Sequence, residues 1–498
     1  MEFVSRYYIP DSVSARARDL VTGAEGDCYL AVKGSGYGNQ DDFMVVGLGP
    51  TGSHKWEYWY DGTLNAVDEC VAITRLGSRL CAAGTVNSSG TARDVVAVAL
   101  DTNGAFGWLH RFNGRLNSHD YAADVCLDSS GNAYVTGQCD SNSVLFVLSV
   151  NSAGTRRWVY RYDEPGDYGA FGRTIGCGPD GNVYVAGYAA SVVAARDFLV
   201  VSLTPAGGFR WAYRRSGVGR YSSDDAVALT FDAAGNVCVS GWLNDSLTGD
   251  DAFVVSLTSS GSELWTVCWD GPPSDDDRAV ALAAPPGGGV CAAITSVAAD
   301  RYRDAYVFAF DDTGGTRWQY HHPSAQYVNE KLAAICIDGQ SDVFAVGSVA
   351  DAIARPSDVL AQSLSSGGVP RWTWRYDGPD QRIDAAMACA ATPNGRIYLC
   401  GHSLVTDLEA AALTVCPRDA VAITGAAIEV PGAEQGRARF VRSSFVLGRD
   451  LGEVPLVDAA GSVVAILHPG ENRLGRLPAG VYFAVRPVGG GFRVVKLD

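Results

Sequence analysis

Cations are scarce in this chain: 39 Lys and Arg stand against 55 Asp and Glu, a formal charge of −16 over 498 residues. That balance argues against nucleic acid and anionic membrane surfaces as partners, because both present dense negative charge. Long apolar runs are missing too. None approaches the roughly 18 residues that a spanning helix needs, so no membrane insertion is expected. The histidines, His54, His110, His119, His321, His322, His402 and His468, are scattered, and no HExxH, GxSxG or Walker A pattern accompanies them. No CxxC pair or His-Cys cluster occurs, which argues against zinc. Nor does a leader stand at the front, since residue 2 is acidic and residues 3–7 read as a strand. The chain is therefore expected to be either cytosolic or a mature form. No catalytic residue, cofactor or resident metal is expected.

What is present is repetition. A glycine stands four residues ahead of a tryptophan seven times, at intervals of 50 to 54 residues: Gly52/Trp56, Gly104/Trp108, Gly154/Trp158, Gly207/Trp211, Gly261/Trp265, Gly314/Trp318 and Gly368/Trp372. A period of that length marks a repeat architecture whose units bury their apolar faces against one another. Residues 224–271 show one unit as four short apolar runs, DDAVALTF, NVCVSGW, DAFVVSL and ELWTVCW, separated by Gly, Asp, Asn and Ser. Such a pattern predicts four strands joined by turns.

A second marker, GNVYVAG at 181–187, recurs eight times with degenerate copies, yet only seven copies are followed by a GxxxW strand. The missing strand stands at the other end, where Phe3, Val4 and Tyr7 line up with Trp158-Val-Tyr-Arg-Tyr162. An all-β chain is expected, with an eight-bladed β-propeller over residues 1–417 in which strand 2–8 completes the last blade and removes open edges. The alternative makes Ala420 to Ile423 the last fourth strand and leaves residues 1–9 as a tail. From residue 418 to 498 the period stops and alternating segments predict a small antiparallel β-sandwich as a separate domain.

The 13 cysteines follow the repeat. Cys81, Cys238 and Cys291 fall where other units carry Tyr or Phe, so they are expected in the core. Cys389 with Cys400 is a candidate adjacent-strand pair, and the odd total leaves at least one thiol unpaired.

Short, repetitive turns such as DSSG form one face of the ring, while the long, variable connections form the other, where a scaffold keeps its function. That second face is acidic: Asp120, Asp167, Asp224, Asp225, Asp275, Asp276, Asp277 and Asp384 each precede an inner strand. Converging carboxylates suit calcium, with Asp224, Asp225, Asp275, Asp276 and Asp277 as the candidates. The competing expectation is that they serve turn capping and solvation. Arg6, Arg161, Arg214 and Arg375 recur at one strand position and are expected to be ladder residues. His321-His322 follows a fourth strand and is expected to face solvent, and NSS at Asn87 and NDS at Asn244 match the glycosylation sequon.

Two resemblances emerge from these residues. Residues 1–415 resemble bacterial propeller repeats of the SBBP type, with WVYRYDEPGDYG, GNVYVAG and DFLVVSL as the matching segments; the resemblance implies a propeller and no particular activity. The tail looks like the C-terminal sorting domain of type IX secretion cargo through Asp458, Gly461, Gly470 to Asn472, the run LPAGVYF with Gly480, Tyr482 and Phe483, and Lys496. That likeness implies export and an extracellular or outer-surface location. Ala99-Leu-Asp-Thr-Asn-Gly104 through Trp108 also resembles the tryptophan motif of quinoprotein dehydrogenases, but the vicinal cysteines of that family are absent. A sialidase Asp-box fails on its Gly–Trp spacing.

The expected function is a non-catalytic secreted or cell-surface scaffold, structural or adhesive, and a subunit of a filament assembled head to tail by self-association. The alternative is a propeller that binds or processes a glycan or other polymer on the variable face.

Overall fold

The computed structural model describes residues 3–7 and 15–417, apart from 36–40, 63, 65, 141–143, 165–166, 192–194, 219–221, 301, 323–327, 352–355, 378–382, 393–394 and 406–407. Beyond 417 it describes seven strands. Seven sheets are each built from four consecutive antiparallel strands, forming blades 1 to 7 over residues 15–60, 69–112, 121–162, 167–215, 225–269, 277–321 and 328–376. In blade 5 the order from inner to outer strand is Asp225–Phe231, Val237–Asp245, Gly249–Leu257 and Glu263–Trp269. The D-x-x-G turns set this spacing. Asp232 Oδ1 accepts the N–H groups of Ala234 and Asn236 at 2.9 and 2.8 Å, and Gly235 then takes the left-handed backbone that ends the turn.

Each inner strand carries a bulge at the same place, between Ala226 and Ala228 in blade 5. The bulge drives the inner backbone toward the glycine that closes the GNVYVAG-type motif: a Cβ on Gly241 would lie 1.8 Å from the Asp225 carbonyl oxygen. Blades 1 and 6 place Val32 and Ile294 there, opposite Ala17 and Ala279, so the requirement belongs to the local approach of the backbones and not to the fold as such.

The core lies between blades. Tyr184, Phe198 and Val200 of blade 4 pack with Val239, Phe253 and Val255 of blade 5, each large side chain contributing about 1.5–3 kcal/mol by leaving water. The repeated tryptophans clamp these seams from outside. A Cβ on Gly104, Gly154, Gly207, Gly261, Gly314 or Gly368 would sit 2.5 to 2.9 Å from the tryptophan of the preceding blade. Trp158 Nε1 also donates to the Pro205 carbonyl at 3.1 Å, and Trp56, Trp108, Trp211 and Trp318 repeat the bond. The five pairs from Gly104/Trp108 to Gly314/Trp318 thus each belong to two seams, the glycine receiving one tryptophan and the pair's own tryptophan reaching the next blade.

Trp372 is where the pattern stops. It is 6 % exposed, and among the described residues its Nε1 has no hydrogen-bond partner; no G-x-x-x-W strand follows. Trp372→Phe is therefore expected to leave stability unchanged or raise it, whereas Trp158→Phe loses about 1 kcal/mol with its hydrogen bond; paired thermal melts check the contrast.

The expected count of eight blades is corrected to seven complete ones. The remaining four-stranded sheet is a composite: Asp384–Ala391, Arg396–Val405 and Leu408–Pro417 from one end of the propeller, and Phe3–Tyr7 from the other. Phe3 pairs with Val415, Val4 with Thr414 and Tyr7 with Ala411. The physical reason is the absent fourth strand, which leaves this stretch unable to finish a sheet from its own residues. Tyr398 and Cys400 of the composite sheet pack on Leu30 and Met44 of blade 1, and Ile397 and Leu399 pack with Phe344 and Val346 of blade 7, so the ring closes through it. The alternative strand at 420–423 lies outside the described residues.

The chain divides into two compact units, Met1–Val421 and Ala422–Asp498. The second, where an antiparallel sandwich is expected, has every described strand pairing but one antiparallel. It holds a five-stranded sheet in the order Arg439–Val441, Gly491–Lys496, Gly480–Val485, Val454–Val457, Val463–Leu467, whose first pair runs parallel, and a two-stranded ribbon of Ser444–Leu447 with Gly470–Arg473. A parallel neighbour needs a long return, and the chain between 441 and 491 supplies it. In the sorting-like segment Gly480 pairs with Lys496, Tyr482 with Val494 and Phe483 with Arg493; Asp458, Gly461 and residues 477–479 lie outside the described residues.

Candidate binding rim on the variable face

The aspartates ahead of the inner strands hold the chain where it crosses from one blade to the next. Asp224 is buried and accepts the N–H groups of Gly217 and Asn244 at 2.7 and 2.6 Å. Asp68 does the same with Gly62 and Asn87, and Asp120 with Gly114 and Asp140. Asp277 accepts from Gly271 at 2.5 Å, and burial pushes its carboxyl up to about 6. Blade 7 uses Glu330 instead, which meets His322 Nδ1 at 2.5 Å. His322 is thus tucked against a buried acid, contrary to the solvent-facing expectation, while His321 stacks on Tyr306 at 4.3 Å and contacts Asp304 at 3.0 Å.

The five calcium candidates are not gathered around one point. Asp224 and Asp277 serve separate crossovers, Asp225 pairs with arginines, Asp275 is exposed, and Asp276 accepts from the Asp250 N–H at 3.2 Å. Asp167 contacts Arg214 at 3.0 Å, and Arg214 reaches Asp197 at 2.6 Å. Arg375 meets Asp358 at 2.5 Å and Arg161 lies 3.7 Å from Asp140, in keeping with ladder roles; the Arg6 side chain lies outside the described residues. Asp384, buried in the composite sheet, falls with Asp358 and Asp377 in one of three groups of neighbouring Asp or Cys side chains among the described residues. In the other two, Asp68 and Asp120 already hold backbone N–H groups.

A different constellation occupies the rim. Just ahead of the bulge in the inner strands of blades 3 to 6 stand Tyr121, Phe171, Asp225 and Arg278, and across the ladder from the first three stand Gln138, Tyr188 and Trp242. Phe171 stacks on Tyr188 with centroids 6.0 Å apart. Arg173 lies 4.9 Å from the Phe171 ring, Arg196 lies 4.4 Å from Tyr188, and Arg278 lies 4.7 Å from Trp242. Flat guanidinium groups suit such faces.

Asp225 is at the centre and fully buried. Arg173 Nη2 donates to it at 2.7 Å, while Arg196 approaches only to 3.9 Å. Burial raises the Asp225 carboxyl above its ordinary value, and Arg173, Arg196 and Arg278 oppose that rise. Arg278 is held by Asp250 at 2.7 Å through Nε. The three arginine side chains stay 37 %, 42 % and 43 % exposed, so each keeps N–H groups turned to solvent. Arg93 over Tyr121 at 5.4 Å and His119 stacked on Tyr121 at 6.1 Å extend the arc.

A cleft of about 440 Å³ between blades 2 and 3 continues the same chemistry outward. Its described walls carry Arg115, Arg156, Arg157 and Arg161 with Phe112 and Trp158, and Asp140 lies 3.7 Å from Arg161. Residues 113–120 run from this cleft to the inner strand of blade 3, linking cleft and rim along one connection. Sequence reasoning missed the rim by looking for acids. The signal was the residue just after the closing glycine of GNVYVAG-type motifs, which varies between Gln138, Tyr188 and Trp242 while its neighbours repeat.

No family model matches the chain, and no curated protein matches it. Solved structures similar to it include a protein of unknown function from Bacteroides caccae, 14% identical, covering 56% of this chain and 89% of that one with a TM-score of 0.32. A quinohemoprotein alcohol dehydrogenase from Pseudomonas putida HK5 is 11% identical over 88% of this chain and 79% of its own, with a TM-score of 0.48. The polysaccharide lyase Uly1 is 10% identical over 70% of this chain and 90% of its own, with a TM-score of 0.42. At such identities nothing about ligand or activity passes from them to this chain.

Proposed function

We propose that this protein is a non-catalytic β-propeller that binds a carboxylate-bearing polysaccharide across the rim of blades 3 to 6. The observation that carries the reading is Arg196, laid on Tyr188 at 4.4 Å and only 3.9 Å from an Asp225 that Arg173 already satisfies. Its guanidinium retains donors for an incoming carboxylate, and bidentate pairing with carboxylates is what this group does best. Aromatic faces at Tyr121, Phe171 and Trp242 offer the flat apolar surface that sugar rings cover. The cleft lined by four arginines supports a polymer over a single sugar. Overall charge does not forbid it, because repulsion from distant carboxylates is screened beyond about 8 Å at physiological salt.

Electrophoresis through gels containing polygalacturonate tests this, with neutral dextran as the control. Retardation by polygalacturonate alone is expected, with Arg196→Ala and Trp242→Ala each weakening it about tenfold at unchanged melting temperature. Equal retardation of wild type and both variants, or retardation by dextran, would sink the reading. A panel of hydrolase and lyase substrates is expected to stay unconverted.

Export to the cell exterior belongs to the same proposal and rests on the SBBP-type and sorting-like resemblances, above all the segment with Gly480, Tyr482, Phe483 and Lys496. Fractionation of the source cells, with the protein recovered only from cytosol, would overturn it. Self-association into a filament is a second reading, favoured by the division into two compact units; sedimentation showing monomers alone at high concentration would remove it.

A further inference from the structure

We propose that Cys126 with Cys177 and Cys336 with Cys389 are the sites of two disulfides that cross-link neighbouring inner strands around the ring. Cys126 lies on the inner strand of blade 3, Tyr121–Leu127, and Cys177 ends that of blade 4, Asp167–Cys177. Their Sγ atoms are 2.8 Å apart, closer than the roughly 3.5–4.0 Å at which even non-bonded carbon atoms rest. Cys336 lies on the inner strand of blade 7, Val328–Ile337, and packs against the same core cluster as Cys389 on Asp384–Ala391 of the composite sheet, where the Cys389 Sγ lies 4.0 Å from the Phe344 carbonyl oxygen of blade 7. Cys389 therefore turns to the neighbouring sheet, not to Cys400 across its own ladder.

The two pairs are not a coincidence of composition. Cys126 and Cys336 occupy the same place in the repeat, each opposite the buried aromatic of the second strand, Tyr134 or Phe344, and the two seams lie on opposite sides of the ring. Cys28, Cys70, Cys81, Cys238, Cys291 and Cys400 are buried in the described core, where a thiol acts as a small apolar side chain.

Each bridge forms one Sγ–Sγ bond and breaks two S–H bonds. The two electrons and two protons pass to an oxidant of the disulfide class, such as oxidised glutathione or a thiol oxidoreductase, which leaves as two thiols. Burial pushes the Cys126 thiol well up, and the neighbouring Cys336 thiol together with burial does the same to Cys389, so the attacking thiolate is scarce once the ring has packed. Oxidation belongs to folding, before the seams close, and each link then constrains a loop of the unfolded chain as long as one repeat.

The test is peptide mapping of the full chain refolded with oxidised glutathione, thiols blocked in denaturant before digestion. Expected are two cross-linked peptide pairs, 126 with 177 and 336 with 389, each two hydrogens lighter than its reduced components. Reduction should lower the melting temperature by about 5 to 10 °C, and Cys126→Ser should remove the first link and leave the second intact. Separate alkylation of all four thiols, or links to other cysteines, would overturn the proposal; Cys177→Ser gives the same readout should Cys126→Ser fold poorly.

Discussion

Replacing Gly207 with valine is expected to lower stability by roughly 3 kcal/mol, read as a fall in the urea midpoint with unchanged slope. Two costs combine. Gly207 has φ +86°, a left-handed backbone that costs an L-residue about 1–2 kcal/mol. A Cβ there would also lie 2.6 Å from Cδ2 of Trp158, and the ring cannot retreat without losing the hydrogen bond from its Nε1 to Pro205 at 3.1 Å. Overpacking of this kind adds about 1–3 kcal/mol. Gly181 separates the two terms, since it has φ +78° with nothing within 4 Å of its added Cβ. Gly181→Ala should cost only about 1 kcal/mol. Equal losses at the two sites would mean that the tryptophan contact between blades contributes nothing.

That contact also marks how far the sequence could be read. Seven evenly spaced G-x-x-x-W pairs announce a ring of repeats, and the unmatched copy near Gly401 announces that one strand must come from elsewhere. A four-residue spacing, however, invites the idea that Gly and Trp of one pair touch each other. In the folded chain Trp158 lies on Gly207, one repeat later, because a propeller buries its surfaces between units. The aspartates left two readings open for a related reason. Asp224 and Asp277 read as a charged loop in one dimension, whereas in the structure each carboxylate is enclosed and holds the N–H of a crossing loop. Trp242 and Tyr188 gave no alarm because aromatics are common in strands; only the ladder register brings them beside Asp225 and Phe171 at the rim.

Stability is expected to fall as pH rises from about 4 to 7, through two carboxyls of the inner strands. Asp19 accepts the N–H groups of Leu20 and Ile73 at 2.8 and 2.9 Å, and Asp124 accepts those of Val125 and Ile175 at 2.7 and 2.9 Å, so each ties its own strand to the next blade. Both stay partly accessible by surface area yet are crowded by protein atoms. That burial outweighs the hydrogen bonds, and the charge of Asp124 adds to it at Asp19, raising the carboxyl of Asp19 to about 7 and that of Asp124 to about 6. The unfolded chain releases these protons near pH 4, while the folded chain keeps them until the raised values are reached. Across that window the folded state binds more protons, so alkali favours unfolding, and above about pH 7 the loss is complete. Asp19→Asn with Asp124→Asn removes both titrations. Its absolute stability should drop by about 1–3 kcal/mol per site, since an amide presents N–H groups to one of the two donors, but its stability should vary less between pH 4.5 and 7.5. Urea unfolding of both proteins at those two pH values separates level from slope, and a double variant as steep as the wild type would show that these carboxyls ionise as freely in the fold as outside it.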